Sequence, residues 1–85
     1  MPYKILIVED DPTIRTQLQI LLSGAGYEAE AVTDFERAAE QFRAYGPHVV
    51  LLDIKLPGAD GFALCSQIRA VSEAPIIFVT SSNSD

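Results

Sequence analysis

Cysteine is nearly absent from this chain: Cys65 stands alone, so no internal disulfide can form, and its placement reads as a small buried residue on a helix face. Basic side chains are also scarce. Six Lys and Arg face twelve Asp and Glu, for a net charge of −6. Phosphate contacts need clustered Lys or Arg, so direct nucleic-acid contact by this segment is not expected. No apolar stretch approaches the roughly 18 residues of a membrane helix. Met1-Pro2-Tyr3-Lys4 leads directly into a strand-like run with no signal peptide ahead of it. The expectation is therefore a soluble, cytoplasmic protein without membrane partners. Repeats, low-complexity tracts and linkers are missing too, and 85 residues fit one small domain. The apolar fraction, 48%, is enough for a core and argues against disorder.

What is present is an alternation of strand and helix. Residues 3–8 read as a buried strand, rich in Ile and Val. Asp11 is a candidate N-cap with Pro12 at the first helical position. Ile14, Leu18, Leu21 and Leu22 then fall on one helical face, and Gly24 with Gly26 marks the stop. Residues 27–32 read as a more exposed strand, because Glu28 and Glu30 alternate with Tyr27, Ala29 and Ala31, which suits a sheet edge. Thr33-Asp34-Phe35-Glu36 matches a capping box. Phe35, Ala38, Ala39 and Phe42 supply the inner face of a second helix, ended by Gly46-Pro47. Residues 48–52 form a third strand, apolar after His48. A loop over 54–59 leads to a third helix at Asp60-Gly61, with Leu64, Cys65, Ile68 and Val71 inward. Pro75 opens a fourth strand over 76–79, which ends at Thr80-Ser81-Ser82. Such repetition with short loops implies an α/β fold with a parallel sheet and right-handed crossovers.

The chemistry sits where two apolar runs stop. Ile5-Leu6-Ile7-Val8 ends at Glu9-Asp10-Asp11, and Val49-Val50-Leu51-Leu52 ends at Asp53. If both are neighbouring parallel strands, Glu9, Asp10 and Asp53 converge at the sheet edge where α/β proteins bind ligands. Three carboxylates cannot sit close together without a cation or a proton between them. Glu9 and Asp10 offer oxygen ligands suited to Mg²⁺. Asp53, at the floor of the cleft, is the candidate nucleophile: a carboxylate oxygen can attack phosphorus to give an acyl phosphate. Thr80 and Ser81 can offer a hydroxyl and a backbone N–H to phosphoryl oxygens. Asp11 is better read as a helix cap than as a ligand. His48, at a strand start away from that edge, reads as structural or exposed.

Val8-Glu9-Asp10-Asp11-Pro12, the segment from Leu51 through Asp53, Lys55, Pro57 and Asp60 to Gly61, and Val79-Thr80-Ser81 together resemble the receiver domain of two-component response regulators. The Asp-x-x-x-Pro-x-x-Asp-Gly spacing is the most specific part. The resemblance implies a flavodoxin-like, CheY-like doubly wound parallel sheet with strand order 2-1-3-4. Residues 1–85 would be an N-terminal fragment of the domain. It implies a signalling phosphoacceptor, not an enzyme, with Asp53 phosphorylated by a sensor histidine kinase. Mg²⁺ would be held by Glu9, Asp10, Asp53 and the backbone carbonyl of Lys55. Thr80 would hydrogen-bond the phosphoryl group and take part in switching, and Pro57 and Gly61 would shape the loop over the pocket. Lys55 and Ser82 would tune the lifetime of the phosphoryl group. The parent would be a DNA-binding transcriptional regulator.

Against the family pattern, the sequence stops after the fourth strand. The fifth strand with its lysine and switch aromatic, and the last helices, have no counterpart here. Two expectations follow. Strand 76–79 becomes an exposed apolar edge, so the chain associates by edge pairing or by exchange of elements. Metal affinity survives in part, while phosphorylation is impaired. A haloacid-dehalogenase-like phosphohydrolase is the alternative enzyme reading, but it resembles Asp-x-Asp and position 55 is Lys. A non-phosphorylated interaction module is the other alternative.

Overall fold

A computed structural model of the chain describes residues 3–53, 55–56 and 59–79. Four parallel strands form one sheet: β1 (Lys4–Val8), β2 (Glu28–Ala31), β3 (Val49–Asp53) and β4 (Ile76–Val79), in the order β2-β1-β3-β4. The predicted topology of 2-1-3-4 is the observed one. β1 and β3 are central because both their faces are apolar. Ile5, Leu6, Ile7, Val8, Val50 and Leu52 are all buried. β2 lies at an edge, as its alternating glutamates predict, and none of its residues is fully buried.

Local chemistry sets the helices. The Asp11 side chain accepts from the N–H groups of Thr13 and Ile14, and Pro12 opens α1 (Pro12–Gly24). The helix runs through Gly24, and Gly26, at φ +96°, makes the turn into β2. The capping-box expectation needs correction. Asp34, not Thr33, is the cap. Its carboxylate accepts from Glu36 N–H and starts a 3₁₀ turn (Phe35–Arg37), and α2 (Ala38–Tyr45) follows. A carboxylate reaching the amide two residues ahead favours the tighter turn. Gly46, at φ +66°, closes α2. α3 (Gly61–Arg69) presents Leu64 and Ile68 inward with Cys65 half-buried. Val71 does not share that face and is 55% exposed. The helix has ended before it: Val71 and Ser72 both donate to Ile68 O, and Arg69 fastens the turn by donating to the carbonyls of Ser72 and Ala74. Where the sequence predicts a loop, Lys55–Leu56 pairs antiparallel with Ala59–Asp60.

The core lies between the sheet and α2 and α3. Leu6, Val8, Val32, Ala38, Phe42, Val50, Leu52, Leu64 and Ile68 form it. The opposite sheet face carries α1, none of whose residues is fully buried. An apolar groove of about 420 Å³ runs there between Leu22, Tyr27, Ile5, Val49, Leu51 and Ile77.

Candidate metal and phosphoryl site

Register builds the site. β1 and β3 are parallel with Val8 opposite Leu52, so the next residues along, Glu9 and Asp53, come side by side at the carboxyl edge of the sheet. Glu9 is 1% exposed, Asp53 is fully buried and Asp10 is half-buried. One carboxylate oxygen from each lies within 4.8 Å of the other two. The three residues singled out from sequence are therefore brought together. Glu9 Oε2 accepts from Asp11 N–H at 3.2 Å, which fixes the turn that carries Asp10. Asp11 itself is occupied as the cap of α1 and is not in the acid cluster.

Two carboxylates out of water beside a third favour a cation strongly, since each buried charge must be neutralised or solvated from within. The donor set fits a hard divalent ion: all oxygen, all anionic. An ion with metal–oxygen distances of about 2.1 Å spans at most about 4.2 Å between ligand atoms. The observed 4.8 Å limit needs only small side-chain adjustment to meet that.

β3 ends at Asp53, and β4 ends at Val79 opposite it. Thr80, Ser81 and Ser82, the remaining predicted residues of this edge, lie outside the described residues, as do Ile54, Pro57 and Gly58. Gly61 starts α3 and is buried. His48 is far from the site. Its Nδ1 accepts from Lys4 N–H at 3.0 Å, and its ring stands edge-on to Tyr3 at 5.1 Å, a structural role as read from sequence. At that same amino end, Tyr45 donates to Glu28, and burial together with Glu28 and Glu30 pushes its phenol up to about 12.

Sequence reasoning missed Arg15, whose Nη1 donates to the Glu9 carbonyl at 3.2 Å. The available signal was a cation one turn into a helix that starts directly after acids.

A family model of the response regulator receiver domain matches residues 5–85. The chain is 40% identical over 79 residues to the sensory transduction protein BceR of Halalkalibacterium halodurans, covering 93% of this chain and 34% of that protein. It is 43% identical over 81 residues to the sensory transduction protein RegX3 of Mycobacterium tuberculosis, covering 95% and 36%. It is 47% identical over 77 residues to the transcriptional regulatory protein YxdJ of Bacillus subtilis, covering 91% and 34%. The chain thus spans about a third of the length of the curated relatives it matches. The solved N-terminal domain of the nisin resistance regulator NsrR superposes with a TM-score of 0.89 at 39% identity, covering 100% of this chain and 72% of that one. The BeF3-activated receiver domain of Klebsiella pneumoniae RstA superposes at 0.87, also 39% identical, covering 96% and 70%. These regulators and receiver domains lend no support to the phosphohydrolase or the bare interaction module.

Proposed function

This chain belongs to the response regulator receiver domain family of two-component systems, and on that premise we propose that Asp53 is its phosphoacceptor and the acid cluster its Mg²⁺ site. The supporting observation is the buried convergence of Glu9, Asp10 and Asp53 within 4.8 Å. A carboxylate oxygen of Asp53 attacks the phosphorus of a phosphohistidine on a sensor histidine kinase. A P–O bond forms, the P–N bond breaks, and its electron pair returns to the imidazole, which takes up a proton. Glu9, Asp10, Asp53 and the backbone carbonyl of Lys55 would hold Mg²⁺, which would supply positive charge where negative charge builds on the phosphoryl oxygens. The Thr80 hydroxyl and the Ser81 N–H receive the phosphoryl oxygens, and Thr80 takes part in switching. The chain is a signalling domain in the cytoplasm, and its chemistry is confined to its own phosphorylation and dephosphorylation.

The longer relatives support a parent that controls transcription through an output domain, with the DNA contact made outside this acidic segment. One side of β4 has no strand partner among the described residues, and Ile77 and Phe78 there are exposed. That supports self-association through this edge or by exchange of elements. Sedimentation should show a concentration-dependent dimer, and a stable monomer at all concentrations would refute it.

The test of the function is a Mg²⁺ titration of the wild-type chain, Asp10→Ala and Asp53→Ala, with and without a small phosphodonor. Both variants should lose affinity by tenfold or more, roughly the effect of losing one of few anionic ligands. A covalent phosphoryl adduct, read by intact mass, should form slowly on the wild-type chain and be absent from Asp53→Ala. Unchanged Mg²⁺ affinity in both variants, or an adduct surviving in Asp53→Ala, would contradict the assignment.

A further inference from the structure

We infer that Arg15 is a positioning residue for the cation site, holding the turn that carries Glu9 and Asp10; this rests on the Mg²⁺ reading above. Glu9 follows the last residue of β1, so its carbonyl has left the strand and needs a donor from elsewhere. Arg15 Nη1 supplies it at 3.2 Å, across six residues and in a part-buried setting.

Its position opposes the helix that bears it. Arg15 lies at the fourth residue of α1, and its own N–H makes the first helical bond, to Asp11 O at 2.9 Å. A cation there meets the positive end of the helix dipole, which only the Asp11 cap offsets, since the first turn itself holds no acidic residue. Helix stability alone therefore gives no reason for arginine at this place. The neighbouring carboxylates do.

The choice of acceptor matters as well. The guanidinium reaches the main-chain oxygen of Glu9, so it ties down the backbone of the acid turn. Three ties then converge on residues 9–11: Asp11 N–H to Glu9 Oε2, Asp11 Oδ1 to the α1 amides, and Arg15 to the Glu9 carbonyl. Together they make the acid turn a rigid extension of α1. Removing a group that holds a metal's ligands in place typically lowers affinity about 10- to 100-fold.

The experiment is calorimetric Mg²⁺ titration of the full chain in four forms: wild type, Arg15→Met, Arg15→Lys and Asp10→Asn. Arg15→Met keeps the stem and removes the donor. It should weaken Mg²⁺ binding about tenfold, while Arg15→Lys, which can still donate to the carbonyl, stays within about threefold of wild type. The metal-free melting temperature of Arg15→Met should stay near that of wild type, which separates positioning from a general structural role. Unchanged affinity in Arg15→Met overturns the inference. So does tighter binding, which would make the guanidinium a competitor of the ion. If Arg15→Met melts before titration, Arg15→Lys decides: near-wild-type affinity supports the role and a tenfold loss refutes it. Asp10→Asn separates the positioning role from the cation site itself. If it binds weakly while Arg15→Met binds normally, only the positioning role falls; if it binds like wild type, the cation site falls and the role with it.

Discussion

At the carboxyl end of the sheet, Glu9, Asp10 and Asp53 gather like charges within 4.8 Å. At the amino end, several polar groups meet complements. Lys4 Nζ donates to the Tyr45 carbonyl at 3.4 Å and lies 5.4 Å from the centre of its ring. The Tyr45 hydroxyl donates to Glu28, and His48 accepts from Lys4 N–H. Both ends are built on the same strands, β1 and β3, so backbone geometry does not explain the difference. The amino end is arranged for stability. The carboxyl end instead draws three acids together, the grouping that the proposed cation would neutralise.

The largest effect should come from removing what the two ends share. Leu52 is fully buried in the core between them. Leu52→Ala should cost about 3 kcal/mol of unfolding free energy. Under denaturant, Mg²⁺ binding and the amino-end hydrogen bonds should then disappear together, in one transition. Separate transitions for the two ends would break the view that one core carries both. Next in size, Asp53→Asn should stabilise the metal-free chain by about 1 kcal/mol, because it removes a buried like charge. Mg²⁺ should then raise the melting temperature of wild type far more than that of the variant. A destabilised, metal-free Asp53→Asn would show that the acid end is not strained.

The amino end should answer in the opposite direction. His48→Ala should lower stability by about 0.5 kcal/mol, the scale of one exposed hydrogen bond, and leave Mg²⁺ affinity unchanged. The smallest effect is in pH. Because the folded phenol of Tyr45 is raised from its ordinary value near 10 to about 12, its contribution is fully present below pH 10 and is lost as pH rises towards 12. Alkaline melting curves of wild type and Tyr45→Phe should therefore converge over that window. Parallel curves would remove Tyr45 from the account.

Much of this contrast was legible in the sequence. Asp53 closes an apolar strand and Glu9-Asp10 closes another, and parallel pairing then leaves them adjacent. Asp11 and Gly46 act through their own backbone neighbourhoods, so their capping roles could be read locally. What escaped depends on geometry that short-range pattern does not carry. Thr33 and Asp34 both offer cap oxygens, and the tight 3₁₀ turn chose Asp34. Val71 continued the helical spacing, but the Arg69 staple had already turned the chain. The Tyr45–Glu28 bond joins residues 17 apart and requires α2 to lie against β2. Arg15 reaches back over a turn whose shape only the assembled strand end defines.

The most direct measurement follows the backbone amide signals of the chain by NMR as Mn²⁺ is added at substoichiometric levels in place of Mg²⁺. Signals of residues 9–11 and 53 should broaden first, while those of Glu28 and Glu30, the acids of edge strand β2, stay sharp. Broadening centred on Glu28 and Glu30, or spread evenly over the acidic surface, would contradict a cation site built from Glu9, Asp10 and Asp53.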